Sequence, residues 1–198
     1  MLVALAPQLT GELLEQALAA VLAFEDEWDR TDVLVALSPQ LTGELLEQAL
    51  VAVLAFEDEG HRSDVLAALA PQLTGELLEQ ALVAALAFEG EQHRSDVLAA
   101  LAPQLTGELL EQALVTAFAT KHERYRADML AALAPYLNGV FPQTVVADYL
   151  WEHLQEKERS AVLRLLNTKA LLPSLVAGPA AGAIAQSVLD ICWKWRWV

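Results

Sequence analysis

Pro7, Pro39, Pro71, Pro103 and Pro135 stand 32 residues apart, and Asp32, Asp64, Asp96 and Asp128 keep the same interval. Around these markers the stretch LAPQLTGELLEQAL recurs from Leu5, Leu69 and Leu101, and from Leu37 with Ser38 in place of alanine. A fixed interval of this size means that one supersecondary unit is stacked on copies of itself, since a single unit is too small to bury its own apolar side.

Within one copy, Leu45, Leu46, Ala49, Leu50, Val53 and Leu54 fall at helical spacing and predict an amphipathic helix, here called B. Thr42, Gly43 and Glu44 precede it. A threonine hydroxyl there can accept an orphan N–H, and the glutamate suits the positive helix end, so Thr10, Thr42, Thr74 and Thr106 are expected to cap the B helices. The other half of the copy, EDEGHRSDVLAALAPQL, predicts a shorter helix A with Val65, Leu66 and Leu69 on its apolar side. Pro71 should end it near Leu69, because the residue before a proline is pushed away from helical geometry.

Each fully buried Leu or Val is worth about 1.5–3 kcal/mol, so neighbouring copies gain by covering one another. The expected fold is all-α: a right-handed α-solenoid of helix-turn-helix repeats over residues 1–138, with a C-terminal helical cap and Trp-rich tail over 139–198. A four-helix bundle would satisfy the same periodicity. Near-identical units most simply make identical neighbour interfaces, which favours the solenoid.

The pattern RSDVLAALAPQLTGELLEQALVAALAFE resembles the short two-helix repeats, related in style to HEAT and tetratricopeptide arrays, that occur in large bacterial signalling proteins. In those proteins such arrays often lie beside STAND-type NTPase or caspase-like modules, where they sense or scaffold. The resemblance covers about residues 1–138 and implies a non-catalytic sensor or adaptor. The tetratricopeptide signature of Trp, Gly, Tyr and Pro at fixed spacing is absent, and no NTPase or protease residues stand here to be matched.

Charge narrows the partners. Residues 1–120 carry 20 acidic and 3 basic side chains, a net of −17, whereas residues 121–198 carry 7 acidic and 9 basic, a net of +2. A phosphate backbone would be repelled by the first part and barely attracted by the second, so nucleic acid is not an expected partner. The lone cysteine, Cys192, allows no internal disulfide and no cysteine cluster. No glycine-rich phosphate loop or nucleophile motif is present, and neither catalysis nor a cofactor is expected. His61 and His93, with Glu57, Asp58 and Glu59 nearby, are the nearest thing to a metal set. Stacked helices are about 8–10 Å apart, too far for two imidazoles to share one ion easily, so no metal is expected.

The copies differ most in the first half of helix A. Trp28, Gly60, Gln92 and Arg124 share one repeat position, and Asp29, His61, His93 and Tyr125 share the next. If the array reads a protein partner, Trp28, His61, Gln92, His93, Arg124 and Tyr125 are the candidate contacts; drift on an exposed helix end is the plainer account. Four pairs at i, i+3, namely Glu27 with Arg30, Glu59 with Arg62, Glu91 with Arg94 and Glu123 with Arg126, suit surface ion pairs worth a few tenths of a kcal/mol. Gln40, Glu47 and Gln48 are read as solvent-facing.

The ends carry two further expectations. The opening MLVALAPQL begins inside a helix A, so either the array continues upstream or the first repeat packs on another copy; no secretory signal precedes it, and cytoplasmic residence is expected. Near the other end, Ala170 to Leu189 holds no charged residue and is followed by Trp193, Lys194, Trp195, Arg196 and Trp197. Docking of this segment on the solenoid is the first reading. The alternative is a membrane-acting effector whose C-terminal segment inserts in or lies on a bilayer. Trp193, Trp195 and Trp197 are candidate anchors in either case.

Overall fold

In the computed structural model, residues 5–136 are described. Eight α-helices lie among them, in alternating B and A roles. The B helices are α1 (Glu12–Leu22), α3 (Gly43–Leu54), α5 (Gly75–Leu86) and α7 (Gly107–Ala119). The A helices are α2 (Glu27–Leu37), α4 (Glu59–Leu69), α6 (Glu91–Leu101) and α8 (Glu123–Leu133). No strand occurs among the described residues. The chain divides into two compact units, Met1–Ala132 and Leu133–Val198, of which the first holds the array.

Each A helix ends two residues before its proline, at Leu37, Leu69, Leu101 or Leu133. The chain then tightens into a single 3-10 turn at Ser38–Gln40 and again at Ala70–Gln72, as the restricted backbone before and at proline requires. The leucine that follows, Leu41, Leu73 or Leu105, is driven fully inside.

Helices pack A upon A and B upon B from one copy to the next, and α3 and α5 also pack against the A helices that follow them, α4 and α6. This is an all-α solenoid rather than a closed bundle. Its core consists of Val65, Leu66 and Leu69 from helix A and Leu46, Ala49, Leu50 and Val53 from helix B, with their equivalents in neighbouring copies. Small polar residues lie where A helices meet: Thr31, Ser63 and Ser95 are buried. The Thr31 hydroxyl donates to the Glu27 carbonyl at 2.8 Å, and that of Ser95 to the Tyr125 carbonyl of the next copy at 3.5 Å. Ser38, the one departure in the repeated stretch, is also buried, and its hydroxyl is satisfied by the Val35 carbonyl at 2.8 Å.

Two expectations are corrected. No threonine hydroxyl caps a B helix: Thr42, Thr74 and Thr106 make no side-chain cap bond, and in the first copy the cap residue is Gly11. The turn is made instead by glycine, with φ between 53° and 55° at Gly11, Gly43, Gly75 and Gly107, a region that residues with a Cβ avoid. Gln40 is not simply solvent-facing either. Its amide oxygen is buried, and the equivalent Gln104 donates to the Pro71 carbonyl of the preceding copy at 3.4 Å.

The expected C-terminal cap, the uncharged segment Ala170 to Leu189 and the tail with Trp193, Trp195 and Trp197 lie outside the described residues. Among the described residues, no helix is long and apolar enough to cross a membrane.

Candidate functional site

The first turns of the A helices bring the copy-variable side chains together. Asp26 and Asp58 start α2 and α4, accepting from the backbone N–H of Trp28 at 2.8 Å and of His61 at 3.0 Å. These caps fix the backbone from which Trp28 and His61 project, whereas α6, which carries Gln92 and His93, starts on Gly90 without a side-chain cap. The His61 N–H is the main reason that the Asp58 carboxyl lies below its ordinary value of 3.8; partial desolvation works against it, and the Gly60 N–H and the His61 and His93 rings add to the lowering.

Glutamates one residue further on join the copies. Glu27 accepts from the backbone N–H of Glu57 at 3.0 Å and of Asp58 at 3.3 Å. Glu59 does the same for Glu89 at 2.8 Å and Gly90 at 2.9 Å, and Glu91 for Lys121 and His122, both at 2.9 Å. Desolvation alone would raise the Glu59 carboxyl, but two N–H donors with Arg62 and His93 outweigh it and hold it below the ordinary 4.5. Glu91 is lowered in the same way, against desolvation, by the Lys121 and His122 N–H groups, Arg94 and His122.

The arginines of the i, i+3 pairs extend this link. Arg30 approaches Glu27 at 3.5 Å and lies 4.8 Å from the Phe56 ring centre in the next copy. Arg62 approaches Glu59 at 3.7 Å, donates to the Phe56 carbonyl at 3.1 Å and lies 4.9 Å from the Phe88 ring centre. Phe56 and Phe88 are buried. Two of the ion pairs expected at the surface, Glu27 with Arg30 and Glu59 with Arg62, are thus half-buried parts of a contact between copies, with cation–π character added to charge.

The variable residues pair diagonally, 33 positions apart. Trp28 meets His61 edge to face, with ring centres 5.5 Å apart and planes at 87°. Tyr125 donates its hydroxyl to the Gln92 side-chain oxygen at 3.3 Å. Between these pairs, a methyl group added to Gly60 would lie 3.5 Å from Cε1 of His93, so glycine and imidazole occupy the same diagonal. His122 stacks at a tilt on Tyr125 with ring centres 4.8 Å apart, and Arg124 lies 6.0 Å from the Tyr125 ring centre while pairing with Asp128 at 3.9 Å. Trp28, Gln92 and Arg124 are exposed, and His61, His93 and Tyr125 are half-buried.

Six of the nine candidates therefore share one edge, and the three C-terminal tryptophans lie outside the described residues. The sequence reading missed the role of Glu27, Glu59 and Glu91 across copies. Their recurrence at the same helix position in successive copies, where an exposed residue is free to change, is the signal that could have found them. Among the described residues, no three His, Cys, Asp or Glu side chains gather as a metal site would require.

No family model matches this chain, and no curated protein or solved structure matches it either.

Proposed function

We propose that the array is a non-catalytic scaffold that holds a protein partner along the edge built by the first turns of α2, α4, α6 and α8. The observation that carries this reading is the diagonal pairing: Trp28 packs edge to face on His61 and Tyr125 donates to Gln92, with Gly60 and His93 lying between these pairs, so that residues of four copies line one edge. Aromatic and arginine side chains are the usual anchors of protein interfaces, and Trp28 offers a 64% exposed indole held in place by its neighbour. The finer reading, arrays of the HEAT and tetratricopeptide style serving as sensor or adaptor in a bacterial defence or signalling system, is supported by the resemblance of the repeat. Affinity capture from the source organism tests it, comparing the unaltered chain with Trp28→Ala and Tyr125→Ala variants of equal melting temperature. A partner retained by the first and lost from the variants is expected; the same proteins on all three would overturn the assignment.

A second reading, self-association through the first repeat, is favoured by Leu13. It is 60% exposed, whereas Leu45, Leu77 and Leu109 at the same repeat position are half-buried. Light scattering over a concentration series should show a rise in mass that Leu13→Glu removes. A strict monomer excludes this reading.

A further inference from the structure

The B helices present a second surface, chemically unlike the edge. In α3, Glu44, Glu47, Gln48 and Val51 follow one another at i, i+3, i+4 and i+7, Ala55 follows at i+11 just past the helix end, and all five are exposed. One helix face therefore runs from carboxylates at its N-terminal half to small apolar groups at its C-terminal end. The sequence Glu76, Glu79, Gln80, Val83 and Ala87 repeats it along α5 and its C-terminal cap, with Gln80 half-buried, and Glu108, Glu111, Gln112, Val115 and Ala119 repeat it on α7; α1 and its cap carry Glu12, Glu15, Gln16, Ala19 and Ala23.

Successive B helices pack on each other, so like residues align in rows along the stack. One row is Val51, Val83 and Val115, exposed by 59%, 64% and 56%. Single exposed valines are ordinary on a protein surface, but an aligned row of them rimmed by polar groups has the form of a docking surface. The charge beside it has one sign. The four B helices hold eight glutamates and no Lys or Arg, and every one of these glutamates is exposed. A second copy offering the same face would be repelled, and so would any acidic partner.

We infer that this face binds a cationic amphipathic α-helix of another protein, laid along the stack with its apolar side on the valine row and its Lys or Arg side chains against Glu47, Glu79 and Glu111. The spacing suits such a helix. Neighbouring helices in a stack are about 8–10 Å apart, and residues seven apart on an α-helix advance by about 10.5 Å. Heptad-spaced leucines would thus meet successive valines, while the flanking basic positions reach the carboxylates. Charge selects the class of partner and the valines fix its register.

The test uses the full chain and, as probe, a fluorescein-labelled synthetic helix of about three heptads with Leu on one side and Lys on the other. Anisotropy should show salt-sensitive binding. The combined substitution Val51→Gln, Val83→Gln and Val115→Gln should weaken it about tenfold or more, with no change in melting temperature because these side chains face water. Glu47→Gln, Glu79→Gln and Glu111→Gln should weaken it by a similar factor. Trp28→Ala with Tyr125→Ala, which disrupts the edge, should leave it unchanged, so the two surfaces fail or survive separately. Absence of binding would overturn the inference. So would undiminished affinity of the valine variant, or equal affinity for a probe whose leucines are replaced by glutamine, since either would mean that charge alone attracts the peptide.

Discussion

The A and B helices start in opposite ways. A B helix begins on a glycine with φ near +54°, and a Cβ built on that glycine would meet no atom within 4 Å, so its start is a local matter of backbone conformation. An A helix begins on a network. Asp58 caps it from within, and the Glu59 carboxylate holds two N–H groups of the following copy, at 2.8 and 2.9 Å. The difference teaches that the B starts shape each unit while the A starts fasten one unit to the next.

Acid should break the Glu59 and Glu91 fastenings together and gives the largest expected effect. Because Glu59 and Glu91 have folded-state values below 4.5, their contribution is complete above that value and is lost as pH falls through the lowered values. The melting temperature should be steady down to about pH 5 and then fall. A Glu59→Gln, Glu91→Gln variant should melt lower at neutral pH and show a flatter acid limb, the two curves converging at low pH. Parallel limbs would assign acid sensitivity elsewhere.

Breaking one fastening comes next. Glu59→Ala removes a charged acceptor from two N–H groups and should lower unfolding stability by about 1–2 kcal/mol in denaturant titration. An effect of a few tenths would mean that the link is no stronger than an ordinary surface ion pair.

The B starts give the smallest effect and the clearest contrast. Gly75→Ala, at φ +55° with open space around it, should cost about 1 kcal/mol from backbone strain alone. Thr74→Ala should change stability by less than about 0.5 kcal/mol, because the hydroxyl makes no cap bond. A larger loss for the threonine than for the glycine would restore the hydroxyl cap.

Much of the array could be read from the chain. The interval of 32 residues, the helix ends at Leu37, Leu69 and Leu101, and the burial of Val65, Leu66 and Leu69 all rest on local rules of periodicity and proline geometry. The threonine cap was misread because Thr and Gly are both good helix-start residues, and only the dihedral angles tell which of them turns the chain. The surface reading of Glu59 and Arg62 was incomplete for another reason. Their i, i+3 spacing is sufficient for a pair within one helix, and nothing along the chain shows that Gly90 and Phe88 come within reach.

Sequence by itself determined that this protein is a row of two-helix units, because helix periodicity, proline stops and the need to cover apolar stripes act over a few residues or between like copies. Tertiary structure alone decided which side chains 30 to 33 positions apart would touch, placing Glu59 on the Gly90 N–H and Trp28 beside His61. Those contacts depend on the pitch and angle at which one unit settles on the next. That geometry is set by the whole buried interface and is encoded in no single stretch of the chain.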